Sequence, residues 1–204
     1  MTTAFQTVFD NAEQISFNRR KKVATTTSRS GVVKATSIGG QVWEFEVLLP
    51  SGPAWTDYRP LIEKMEALDR VTVGQVQINK AGQEWITGYR GDLTNITAVT
   101  VSYSSGNTVT ITGGATLGSG FRFRSGDVIQ LGTSGAVYSV VDDVAYNATT
   151  VTLHRPVREA AGSYTLKVGA NVVWNVLCVS FPKWNLFSRD QVGWDGPFVF
   201  VEAI

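Results

Sequence analysis

The sequence predicts a mainly β protein in two parts: a domain built from both chain ends and a small β-barrel set between them. Three observations carry that expectation. Val occurs 27 times and Thr 22 times among 204 residues, and β-branched side chains stiffen the chain toward extended geometry. Apolar and polar residues alternate over several short stretches, the period of a half-buried strand. All six Trp lie outside residues 91–169, while that segment holds 11 of the 20 Gly, so composition changes sharply on entering and leaving the middle.

The elements follow in order. Over 41–49, Trp43, Phe45, Val47 and Leu49 fall on one face, with Gln41, Glu44 and Glu46 nearer the other, which predicts a strand. One segment reads clearly as a helix. Asp57 is placed to cap it, Pro60 suits a first turn because that N–H has no intrahelical partner, and Leu61, Met65 and Leu68 recur at helical spacing. Glu63, Lys64 and Glu66 then face outward, and the helix is expected to end near Leu68 or Asp69. Val71 to Ile78 alternates weakly and reads as a strand. In the middle, short runs at 108–112, 127–131, 136–141, 149–153 and 164–168 recur between turn signals, the pattern of a small barrel or sandwich. Val172 to Phe181 is a further strand, and Phe198 to Val201, after Gly196-Pro197, reads as the closing one. The expected division is therefore 1–90 with 170–204 as one domain and 91–169 as the inserted barrel. One continuous large β-sandwich is the alternative.

Composition excludes more functions than it suggests. With 18 basic and 17 acidic residues the chain carries a net +1, without the basic excess usual in nucleic-acid binders. A single Cys rules out an internal disulfide, and a single His makes a His-rich metal site or a Ser-His-Asp hydrolase improbable. Neither a catalytic constellation nor a cofactor motif is present in the sequence, so no enzyme activity and no cofactor are expected. The start, Met1 to Gln6, lacks the basic and then apolar pattern of a signal peptide. No apolar run approaches the roughly 18 residues of a membrane helix, so no membrane insertion is expected.

The order of features resembles a known family. A β-rich start, one helix at Trp55–Asp69, a glycine-rich barrel insertion and an aromatic C-terminal segment succeed one another over nearly the whole chain. Ser125-Gly126-Asp127-Val128-Ile129-Gln130-Leu131 followed by Ala136-Val137-Tyr138-Ser139-Val140, continued by Thr150 to Pro156, is similar to a hairpin frequent in barrel domains of phage tail proteins. On these stretches the chain resembles the distal tail proteins of long-tailed siphophages. That resemblance implies a tail-tube-like β-sandwich with one flanking helix, formed by 1–90 and 170–204, plus an inserted barrel of the oligonucleotide/oligosaccharide-binding (OB) type at 91–169. It implies a virion tail protein, assembled in the host bacterial cytoplasm. As partners it implies further copies of itself in a ring, usually a hexamer, with the tail tube protein above and the baseplate hub and other tail-tip proteins below. DNA would pass through the lumen without specific binding. The alternative function is a carbohydrate-binding or receptor-binding accessory module of a phage tail.

Two segments are candidates for the subunit interface. Arg19, Arg20, Lys21 and Lys22 form the strongest charge run, read as a solvated or inter-subunit exposed loop or hairpin ahead of a phosphate contact. Trp184 and Phe187 belong to a stretch too apolar to lie in water, expected to dock on its own domain or on a neighbouring chain. His154 reads as structural or surface rather than as a ligand, because the adjacent Asp142-Asp143 pair would point to opposite faces of a strand. Cys178, alternating with Trp174 and Val176, reads as a buried small hydrophobe. Gly113 to Gly120 lacks the Lys-Ser/Thr ending of a phosphate loop and reads as a flexible loop. Arg122 and Arg124 alternate with Phe121 and Phe123, as in a strand with one wet face.

Overall fold

The computed structural model describes residues 3–203, except 22, 38–39, 69–70, 115–118, 133–134 and 188–189. In chain order its elements begin with α1 (Ala4–Asp10), β1 (Gln14–Asn18), β2 (Val23–Thr27), β3 (Val33–Ser37), β4 (Glu44–Leu48), α2 (Trp55–Glu66) and β5 (Gly74–Val76). The middle follows with β6 (Thr100–Tyr103), β7 (Thr108–Gly113), β8 (Phe121–Phe123), β9 (Val128–Leu131), β10 (Val137–Ser139), β11 (Val144–Ala145), β12 (Thr150–Thr152) and β13 (Gly162–Val168). The end supplies β14 (Trp174–Ser180), β15 (Lys183–Phe187), β16 (Gln191–Asp195) and β17 (Phe198–Glu202). The protein is mainly β, as its sequence predicts.

The chain divides into two compact units, 1–74 with 176–203, and 75–175. The crossings fall inside β5 and β14, rather than at 90/91 and 169/170. Residues 75–90 belong with the middle because their side chains are tied there. The Tyr89 hydroxyl donates to the Arg122 carbonyl and accepts from the Leu93 N–H. Its ring meets Phe123 edge-on at 5.9 Å.

The unit of the chain ends is built on a sheet in the order β1-β4-β17-β14-β5, antiparallel from β1 to β14. Trp43, Phe45, Val47 and Leu49 are 0–5% exposed, so the alternation over 41–49 does mark the buried face. Phe198–Glu202 is the last strand of the chain, as expected, and lies between β4 and β14 in the sheet. Val71 to Ile78 is strand only over Gly74–Val76, since Val71 and Val73 are 74% and 51% exposed and have no core to face.

Two α-helices occur among the described residues, where the sequence reading gave one. The additional α1 starts from Thr3, whose hydroxyl accepts the Gln6 N–H at 3.2 Å. Its Phe5, Val8 and Phe9 are buried. Phe9 meets Phe45 and Phe200 at centroid distances of 5.6 and 5.1 Å, so α1 rests on the aromatic face of β4 and β17. The second helix, α2, begins earlier than expected. Ala54 is its cap, without a side-chain bond, and Asp57 sits in the first turn. Pro60 therefore falls within the helix, where it withholds an N–H from the ladder. Tyr58, Leu61, Ile62 and Met65 form the buried stripe, and Leu68 lies just past the end.

The middle unit is a six-stranded antiparallel sheet in the order β10-β9-β13-β6-β7-β12. Its two outermost strands meet at one bridge, Val140 to Leu153. There the Val141 N–H donates to the Thr152 carbonyl at 2.9 Å and the His154 N–H to the Ser139 carbonyl at 3.0 Å. The sheet thus curls back on itself around a core that includes Phe123, Ile129, Leu131, Tyr138, Val151 and Leu153. The Gly126-Asp127 turn explains why that dipeptide precedes β9. Gly126 has φ +94°, and the 2%-exposed Asp127 carboxylate accepts the N–H groups of Arg90 and Arg124. The Arg90 bond ties the end of 75–90 to the barrel.

Candidate functional site

The basic segment begins where β1 ends. The Asn18 side chain accepts the Arg20 N–H at 3.1 Å and turns the chain out of the sheet. Arg19 stays against its own unit: its guanidinium lies 5.0 Å from the Trp43 ring centroid, and burial pulls its pKa down. Arg20 and Lys21 are exposed, and Lys22 lies outside the described residues. Beyond them β2 and β3 pair with each other in a two-stranded sheet, from Val23 opposite Ser37 to Thr27 opposite Val33. The turn closes through the Ser28 hydroxyl, which accepts the Val32 N–H at 3.1 Å, and through Gly31 at φ +79°.

Alternation along this hairpin separates two faces. Val23, Thr25 and Thr27 share one with Ala35 and Val33; Ala24 and Thr26 share the other with Lys34 and Thr36. Residues 23–36 are all exposed, with Val23, Val32 and Val33 at 47%, 53% and 64%. Sequence reasoning singled out the charges here but not the valine face. Its signal is the spacing of Val23, Thr25 and Thr27 against Val33 and Ala35.

The aromatic segment is a hairpin as well. β15 and β16 pair from Lys183 opposite Asp195 to Phe187 opposite Gln191. It docks on its own unit. The Trp184 indole stacks on Trp55 at 5.1 Å and donates its Nε1–H to Glu66 at 3.0 Å. The segment leading into α2 bonds to β16 and its turn through Gly52, Pro53 and Trp55, the last at 2.7 Å to the Asp190 carbonyl. Trp194 packs on Tyr58 and Phe198. Leu186 and Phe187 remain 53% and 55% exposed. The structure thus holds Trp184 within a packed cluster and leaves Phe187 on the surface.

An apolar cavity of about 240 Å³ lies beside α2, lined by Phe5, Met65, Glu66, Leu68, Cys178, Val179 and Phe181. Cys178 is half-buried at its rim, with its Sγ 3.4 Å from the Ser180 carbonyl, rather than fully enclosed. The register shift between Cys178 and Ser180 in β14 breaks the alternation that predicted burial.

In the barrel the residues considered for chemistry are committed to structure. His154 Nδ1 accepts the Ser139 N–H at 2.9 Å. Asp143 accepts the Ser125 N–H at 2.8 Å and pairs with Arg124 at 3.2 Å, which together hold its carboxyl below the usual range. Arg124 lies over Phe121 at 3.6 Å, and Arg122 donates to the Tyr146 carbonyl. Tyr138, deep in the core, donates to Glu159 and accepts the Arg158 N–H; burial raises its pKa. Of Gly113 to Gly120, residues 115–118 lie outside the described residues. Among the described residues no three His, Cys, Asp or Glu side chains converge, and no helix is long and apolar enough to cross a membrane. No protein-family model matches the chain, and no curated protein matches it.

Proposed function

We propose that this chain is a structural protein of a phage tail tip, forming a ring that joins the tail tube to the baseplate hub. The observation that carries the reading is the β2–β3 hairpin. Its valine face is uncovered, and a two-stranded hairpin on its own is marginally stable in water. A neighbouring copy that covers this face and pairs with its open edges supplies what the single chain lacks. One such heterologous contact, repeated by rotation, closes a ring, for which six copies are the expected number. The ordered likeness of the sequence to distal tail proteins supports the same reading.

The barrel gives less support to glycan recognition. Of Tyr103, Phe121, Phe123, Tyr138, Tyr146 and Tyr164, the exposed one is Tyr146. Tyr103, Phe121 and Tyr164 are half-buried and Phe123 and Tyr138 are buried, so these six rings form no broad open platform. Negative-stain electron microscopy of the purified chain tests the proposal. Closed rings are expected from the native chain, and isolated particles from the Val23→Asp, Val33→Asp variant. Isolated particles from both, across all concentrations and on addition of tail tube protein, would overturn it.

A further inference from the structure

The basic character of this protein is concentrated in one place. Residues 14–43 contain six Lys and Arg, namely Arg19, Arg20, Lys21, Lys22, Arg29 and Lys34, and no Asp or Glu. The near-neutral total of the chain conceals this segment. Arg19 is occupied by Trp43. Arg20, Lys21, Arg29 and Lys34 are all exposed, and no ion pair among the described residues involves them. They lie at the base, the middle and the tip of a ribbon that stands outside the main sheet. Lys34 is on the polar face, opposite Thr26 and away from the valines.

We infer that the β2–β3 ribbon and its basic lead-in bind the phosphate backbone of double-stranded nucleic acid without sequence preference. The chemistry favours this polyanion. Thr26 and Thr36, with the Ser28–Ser30 pair whose hydroxyls bond each other at 2.8 Å and keep one donor, place hydroxyls among the cations, and hydroxyls and cations together are the usual phosphate contacts. Between residues 19 and 37 there is no Asn or Gln for adenine edges and no aromatic ring for stacking unpaired bases. A two-stranded ribbon also fits the width of a duplex major groove. The contact uses the polar face, so it does not compete with a neighbour on the valine face.

Fluorescence anisotropy of the full chain with two unrelated duplexes of about 20 base pairs is the test. About four phosphate contacts give a log–log salt slope near −4, hence roughly a hundredfold loss of affinity from 50 to 200 mM salt. Both duplexes bind alike. Arg29→Gln and Lys34→Gln each reduce the slope by about 1. Arg20→Glu, Lys21→Glu and Lys34→Glu together abolish binding, with an unchanged circular dichroism spectrum, and Lys64→Gln has no effect. Absence of binding at 50 mM salt, or full binding by the triple variant, overturns the inference. So does displacement of the duplex by poly-glutamate at equal charge concentration, which would assign the ribbon to an acidic protein surface. A chain that forms rings but ignores duplex overturns this inference alone; one that binds duplex but never associates overturns the ring proposal alone.

Discussion

Trp184 lies on Trp55 with 27° between the ring planes and centroids 5.1 Å apart, joining the C-terminal hairpin to the start of α2. The bond from the Trp184 indole to Glu66 fixes it at the other end of the same helix. This residue therefore contributes to the unit's own stability, whereas Phe187, three residues on, is displayed.

The two positions should separate in mutation. Trp184→Ala loses a stacked ring and a charge-assisted hydrogen bond, and should cost about 2 kcal/mol in urea unfolding. Phe187→Ala should change stability by less than about 0.5 kcal/mol. Equal losses would show that the exposed ring is anchored as firmly as the stacked one.

Asp127 contributes to the response of the barrel to pH. Burial raises its pKa, opposed by the N–H groups of Arg124 and Arg90. The native state then holds this proton more tightly than the unfolded chain. Its contribution is fully present below the ordinary carboxylate value of about 4, and is lost as pH rises through the raised native value. Asp127→Asn leaves one backbone N–H facing an amide NH2 and should cost about 2 kcal/mol. Because the variant does not titrate there, its deficit should be largest in acid and shrink as pH rises. Unfolding midpoints measured along a pH series check the sign, and a deficit that grows with pH would contradict it.

Gly114 and Gly106 share left-handed backbones, at φ +72° and +82°, yet differ in surroundings. A Cβ at Gly114 would lie 1.7 Å from the Ala98 carbonyl oxygen, while one at Gly106 meets nothing within 4 Å. Gly106→Ala should cost about 1 kcal/mol for the backbone conformation alone. Gly114→Ala adds a clash with backbone and should cost about 3 kcal/mol or more. Similar denaturation midpoints for the two variants would contradict this difference.

What could be read from the sequence depended on how strongly each segment faces a core. Trp43, Phe45, Val47 and Leu49 bury every second side chain, and Leu61 and Met65 mark the stripe of α2, so both elements were legible. The first helix was missed because two turns give only Phe5, Val8 and Phe9 as a stripe, although Thr3 at its start was a usable cap signal. Val71 and Val73 misled because β-branched residues suggest a strand even where nothing covers them. The hairpin form of 183–195 was not legible, because its packing is made by Trp55 and Glu66, more than a hundred residues earlier. At the candidate interface the charges of Arg19 to Lys22 were visible. The reduction of Arg19 to a local packing role was not, because it depends on where Trp43 lies.

Mass photometry of the native chain beside the Val23→Asp, Val33→Asp variant tests the central claim most directly. The ring reading predicts a native species at six times the 22.2 kDa chain mass, and a folded single chain for the variant. A native species that stays at the single-chain mass at every concentration, or a variant that assembles as the native chain does, would contradict it.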